Sequence, residues 1–104
     1  MKKIESFVST FREADEFWDF YKFEVYEDSI MYNDLINYID VRGLNYEICR
    51  YSNGWVTVIF RTYVNTDRFE IFKNFSHIRG IEFEGNVTTK QSNLFRIFKR
   101  VESF

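Results

Sequence analysis

Residues 45–64 read NYEICRYSNGWVTVIFRTYV, two runs rich in β-branched and aromatic residues flanking Asn53-Gly54. No other stretch limits the fold as much. Asn and Gly both tolerate positive φ, the backbone conformation that a two-residue type I′ hairpin turn needs. The pair therefore predicts an antiparallel hairpin, and a hairpin alone is too small to be stable in water. The rest of the chain must supply further strands or helices to cover it. With a two-residue turn, Arg50 lies opposite Thr57, Cys49 opposite Val58 and Ile48 opposite Ile59, and opposed residues share a face. One face then carries Cys49, Tyr51, Val56, Val58 and Phe60, suited to lie under helices. The other carries Tyr46, Ile48, Arg50, Trp55, Thr57, Ile59, Arg61 and Tyr63, an aromatic and cationic set.

The flanking elements follow from periodicity. Ile4, Phe7, Val8 and Phe11 have helical spacing and predict an N-terminal helix, whose period runs on through Ala14, Trp18 and Tyr21. Tyr21, Phe23 and Val25 alternate with Lys22, Glu24 and Tyr26 as in a strand, and residues 16–21 fit either element. Asp28 and Ser29 are helix-capping residues, followed by the apolar stripe Met31, Leu35, Ile36 and Ile39 and a helix end at Arg42-Gly43. Thr66 or Asp67 caps a second helix with Phe69, Phe72 and Phe75 inward, ending near Arg79 and Gly80. Ile81–Val87 alternates again. A last helix carries Leu94, Phe95, Ile97, Phe98 and Val101. One domain spanning 1–104 is implied by the length. The expected fold is α+β: a ferredoxin-like split βαβ sheet (βαββαβ) with extra N-terminal and C-terminal helices. The rival is a helical N-terminal half packed on a three-stranded sheet.

Composition excludes several classes. The chain has one cysteine, Cys49, so neither an internal disulfide nor a cysteine-based zinc site is available, and a reducing cytoplasm is the simplest compartment. No apolar run approaches the roughly 20 residues of a membrane helix, and no signal peptide is read. His77 stands alone, and no glycine-rich phosphate loop or nucleophile elbow occurs. The reading is a non-enzyme without cofactors or metal. Proline is absent, against about five expected for this length. Together with abundant Phe, Tyr, Ile, Asn and Lys, this suggests an AT-rich coding sequence, as in a mobile element or a low-GC bacterium.

Charge is the feature most suggestive of function. Residues 13–28, EADEFWDFYKFEVYED, hold seven acids and six aromatics. From Glu13 to Asp40 nine acids face Lys22 alone, a balance of −8, whereas the remainder, with seven acids and thirteen bases, sums to +6. Aromatics pointing to the core with carboxylates hydrated outside would explain each residue singly, but a merely solvated surface usually mixes signs. The bunching predicts a contact surface for a protein rich in Lys and Arg, formed by Glu13, Asp15, Glu16, Asp19, Glu24, Tyr26, Glu27, Asp28, Tyr32 and Asp34. In size and composition the chain resembles phage-encoded inhibitors of bacterial defence, anti-CRISPR proteins among them. That likeness implies an inhibitor of a nucleic-acid-binding effector complex, with carboxylates in the place of phosphates. Two alternatives stand beside it. Tyr46, Arg50, Trp55, Arg61 and Tyr63 would form a single-stranded nucleic-acid face, aided by Lys90, Arg96, Lys99 and Arg100. A structural homodimer through a sheet edge or the last helix is the other.

Overall fold

The computed structural model describes residues 3–12, 16–75 and 81–88. Five strands and two helices follow one another as β1 (Ile4–Ser9), β2 (Phe17–Tyr26), α1 (Ile30–Arg42), β3 (Tyr46–Tyr51), β4 (Trp55–Tyr63), α2 (Arg68–Phe75) and β5 (Glu82–Thr88). The strands form a single sheet in the order β1-β3-β4-β2-β5, with every neighbouring pair antiparallel. Both helices pack on one face. Leu35, Tyr38 and Ile39 of α1 and Ile71 and Phe75 of α2 share a buried cluster with Tyr21, Phe23, Val25, Ile48, Val56, Val58 and Phe60 of the sheet.

This corrects the expected architecture. Among the described residues, the expected ferredoxin-like split βαβ sheet with an extra N-terminal helix gives way to a five-stranded antiparallel sheet with two helices, and the rival with a helical N-terminal half is excluded as well. The N-terminal segment is a strand on β3. Its apparent helical spacing has a local cause: β1 is irregular between Ile4, which faces Tyr51, and Ser6, which faces Arg50. The extra residue brings Ile4 and Phe7, three apart, to the same side, as a bulge does. Residues 16–21, open between helix and strand, belong to β2 from Phe17 onward. The C-terminal helix expected around Leu94–Val101, the basic residues Lys90, Arg96, Lys99 and Arg100, and His77, Arg79 and Gly80 lie outside the described residues.

The two helices form for reasons visible in the chain. Ser29 caps α1, its hydroxyl accepting from the Tyr32 amide at 3.2 Å. Gly43, at φ 61°, ends it: the Gly43 amide donates to the Asp40 carbonyl and the Leu44 amide to the Ile39 carbonyl. This is the paired closure in which a left-handed residue satisfies the last carbonyls. Helix α2 differs from expectation in rotation. Ile71 and Phe75 are buried and Phe72 is half-buried, but Phe69 is 78% exposed rather than inward.

The cause is Arg68. Asp19 of β2 has no exposed surface and accepts five hydrogen bonds. Three come from the Arg68 guanidinium at 2.8–3.1 Å, one from the Asn65 amide at 2.9 Å and one from the Asn86 amide at 3.1 Å. Asn65 and Asn86 both have left-handed backbones, at φ 64° and 59°, which asparagine tolerates better than most residues. With Arg68 fixed on the sheet, the residues three, four and seven positions on face the core, and Phe69 turns away.

Removing the Asp19 carboxylate leaves a guanidinium and two backbone amides without their acceptor. Asp19→Ala is expected to cost about 3 kcal/mol or more, the range for breaking a buried ion pair, read as a lowered urea midpoint. A second expectation concerns alkali. Burial pushes the phenols of Tyr21, Tyr38 and Tyr51 up to about 12, against about 10 in an unfolded chain. Between these values the folded state holds protons that the unfolded state has released, so stability falls as pH rises. Folding free energy is expected to be flat below pH 10 with respect to these groups and to drop between pH 10 and 12. Denaturant titrations at several pH values, with phenolate absorbance, measure it.

Candidate functional site

The sheet face opposite the helices carries the candidate site, and the hairpin register decides what lies on it. The connection between β3 and β4 is a three-residue loop, Ser52–Gly54: the Gly54 amide donates to the Tyr51 carbonyl at 3.1 Å, and Gly54 sits at φ 87°. A turn closed by a left-handed glycine is the usual three-residue hairpin. Pairing is consequently one residue away from expectation, with Arg50 opposite Val56, Cys49 opposite Thr57, Ile48 opposite Val58 and Glu47 opposite Ile59. A slip of one exchanges faces. The prediction for β4 stands, with Val56, Val58 and Phe60 toward the helices. That for β3 is inverted: Ile48 and Arg50 lie on the helix side, and Glu47, Cys49 and Tyr51 on the other.

The residues proposed for single-stranded nucleic acid therefore do not share a face. Tyr46 packs against the helix-side core. Arg50 also points there, donating to the Tyr32 hydroxyl at 2.7 Å and pairing with Glu27 at 3.3 Å. Trp55, Arg61 and Tyr63 occupy the second face, but Arg61 is buried. Its guanidinium lies 4.0 Å above the Trp18 ring and donates to the Arg12 carbonyl at 3.0 Å and to Asn45 Oδ1 at 2.9 Å. Burial lowers its pKa from the ordinary arginine value. It acts as a strut holding the segment after β1 onto the sheet, where Phe11 packs edge-on against Phe20. Trp18 in turn stacks on Tyr63 at 4.5 Å. Ile59 is buried at this covered end, whereas Trp55, at the other end, is 45% exposed.

Strand alternation also divides the acidic stretch. Asp19 points to the helix side and is buried, so it is not a surface residue. Glu16 is exposed. Glu24 and Tyr26 lie on the second face, opposite Thr57 and Trp55. Glu27 and Asp28 follow at the strand end, Glu27 held by Arg50. Tyr32 is half-buried and Asp34 exposed on α1. Glu13 and Asp15 lie outside the described residues. The charge bunched along the chain is thus not one patch. What survives on this face is a corner formed by Glu24, Tyr26 and Trp55, with Glu27 and Asp28 following at the strand end and Glu27 turned toward Arg50.

That corner has a defined shape. Tyr26 and Trp55 meet edge-to-face, with centroids 5.7 Å apart. The Glu27 amide donates to the Gly54 carbonyl at 2.9 Å, clamping the end of β2 to the loop. Beside them a cavity of about 230 Å³ is lined by Glu24, Tyr51, Asn53, Trp55, Val56 and Thr57. Thr57 donates to the buried Tyr51 hydroxyl at 3.3 Å. Desolvation is the main cause of the raised Tyr51 pKa, with the Glu24 charge adding to it. Lys22, only 4% exposed, lies 4.0 Å from Glu24 and 3.7 Å from Glu82. No three His, Cys, Asp or Glu side chains are grouped to hold a metal among the described residues, and none of their helices is long and apolar enough to cross a membrane.

A scan against protein-family models matches none, and searches of curated proteins and of solved structures find no significant match.

Gly54 sets the geometry of the corner. A Cβ there would stand 2.9 Å from the Tyr26 ring, and the residue has positive φ. Gly54→Ala is expected to lower stability by about 1–2 kcal/mol, the cost of a left-handed alanine, and to displace Tyr26 from Trp55. Thermal unfolding reports the first effect and Trp55 emission the second.

Proposed function

We propose that the chain is a small, non-catalytic protein-binding module whose contact surface is the exposed corner of Glu24, Tyr26 and Trp55, continued by Glu27 and Asp28 at the strand end, and whose partner has a basic surface. The reading rests on one observation: two large aromatics, Tyr26 and Trp55, remain 46% and 45% exposed on rigid paired strands with carboxylates beside them. Exposed aromatics held on a scaffold lose little entropy on contact and serve as anchors. Neighbouring carboxylates steer and orient a basic partner.

Nucleic-acid-binding effector complexes present such basic surfaces, and carboxylates at this corner would take the place of phosphates there. With the likeness in size and composition to phage-encoded inhibitors, this makes inhibition of such a complex the functional proposal. Arg50 and Arg61 both have partners within the chain, which weighs against the nucleic-acid alternative.

Fluorescence anisotropy with a labelled peptide rich in Arg and Lys tests the reading. Binding is expected to weaken with added salt and to fall at least about tenfold in both Trp55→Ala and Glu24→Lys, as truncated anchors do. Equal affinity in the variants, or salt-dependent binding of labelled single-stranded DNA instead of the peptide, would overturn it.

A further inference from the structure

Resting on the contact-surface reading, we infer that the cavity beside Trp55 is a socket for one arginine side chain of the partner. At about 230 Å³ it is below the roughly 300 Å³ at which small-molecule pockets begin, a size suited to a single side-chain head. Its lining is chemically uneven. The Glu24 carboxylate, half exposed, offers the negative charge. Trp55, 45% exposed, brings an aromatic ring to the lining, and Asn53, Tyr51 and Thr57 bring polar side chains.

A planar guanidinium uses all three kinds of group. It stacks on an aromatic ring, forms paired hydrogen bonds with a carboxylate and has donors left for neutral oxygens. A lysine ammonium cannot stack in this way. Lys22 pairs with Glu24 at 4.0 Å, and a carboxylate has several acceptor positions, so Glu24 can take a second cation. The Lys3 backbone meets Ser52 across the hairpin tip, which places this residue near the same end.

The molecule uses the same chemistry internally. Arg61 lies over Trp18 at 4.0 Å, and Arg68 is bonded to Asp19 through two of its nitrogens. The socket offers an indole and a carboxylate together, on the same sheet face as the Arg61–Trp18 pair.

The test is an NMR titration of the labelled protein with N-acetyl-arginine-N′-methylamide. Saturable shifts are expected at the Trp55 indole and the Thr57 amide. The citrulline analogue, which keeps the shape but lacks the charge, is expected to give none, and the lysine analogue to bind several-fold more weakly. Glu24→Gln is expected to weaken arginine binding at least about tenfold, as loss of a charge-assisted hydrogen bond does. Glu82→Gln, which alters the other acid beside Lys22 but not the cavity lining, is expected to leave it unchanged.

No shift at Trp55, or equal binding of the citrulline or lysine analogue, would overturn the socket. If Trp55→Ala abolishes peptide binding while wild type ignores the arginine probe, the contact surface stands and the socket alone fails. If the arginine probe binds but no basic peptide does, the contact-surface reading fails instead.

Discussion

A carboxylate removed from water has to be given enough donors to replace its hydration shell, or its charge makes the fold untenable. Asp19 meets that requirement with donors from three separate parts of the chain: the loop after β4, the first turn of α2, and β5. The bonds position those parts as well as satisfying the acid. They hold α2 at one rotation about its axis, draw β5 to the outer side of β2, and stabilise two left-handed asparagines that would otherwise be unfavourable. The aromatic core of Tyr21, Phe72 and Phe83 packs beside this junction. Much of one end of the molecule is therefore organised by a charge, and dispersion fills in around it.

The sequence was legible where local chemistry was sufficient. Ser29 and Gly43 bracket α1 as their capping chemistry implies, alternation marks β2 and β5, and both faces of β4 follow from Val56, Val58 and Phe60. It misled where a local pattern had two structural solutions. Asn53-Gly54 fits a two-residue turn and also a three-residue one, and only pairing along the whole hairpin separates them. Ile4 and Phe7 are three apart in a helix, but also across a bulged strand. Phe69 looked like core because its apolar character says nothing of the Asp19–Arg68 bond that turns it outward. That bond joins residues 49 apart, and no short-range pattern encodes it.

The candidate site shows the same division. Glu24 and Tyr26 could be singled out from composition, and β2 sets them opposite Thr57 and Trp55. Their neighbour Trp55 was assigned to a different surface, because the hairpin alone does not reveal that β2 pairs with β4. The cavity between Glu24 and Thr57 arises from that pairing. Charge counted along the chain overestimated the acidic surface, because a strand sends successive residues to opposite sides and Asp19 fell on the inner one.

The hairpin loop has a wider consequence. In a sheet whose two faces differ so sharply, loop length behaves as a parity rule. Deleting one residue between Tyr51 and Trp55 while β4 kept its place would interchange the environments of every side chain on β3. Glu47 would enter the apolar layer beneath α1, and Ile48 would leave it for the opposite face. Length variation at this tip is therefore constrained to steps of two, even though Ser52 and Asn53 are exposed.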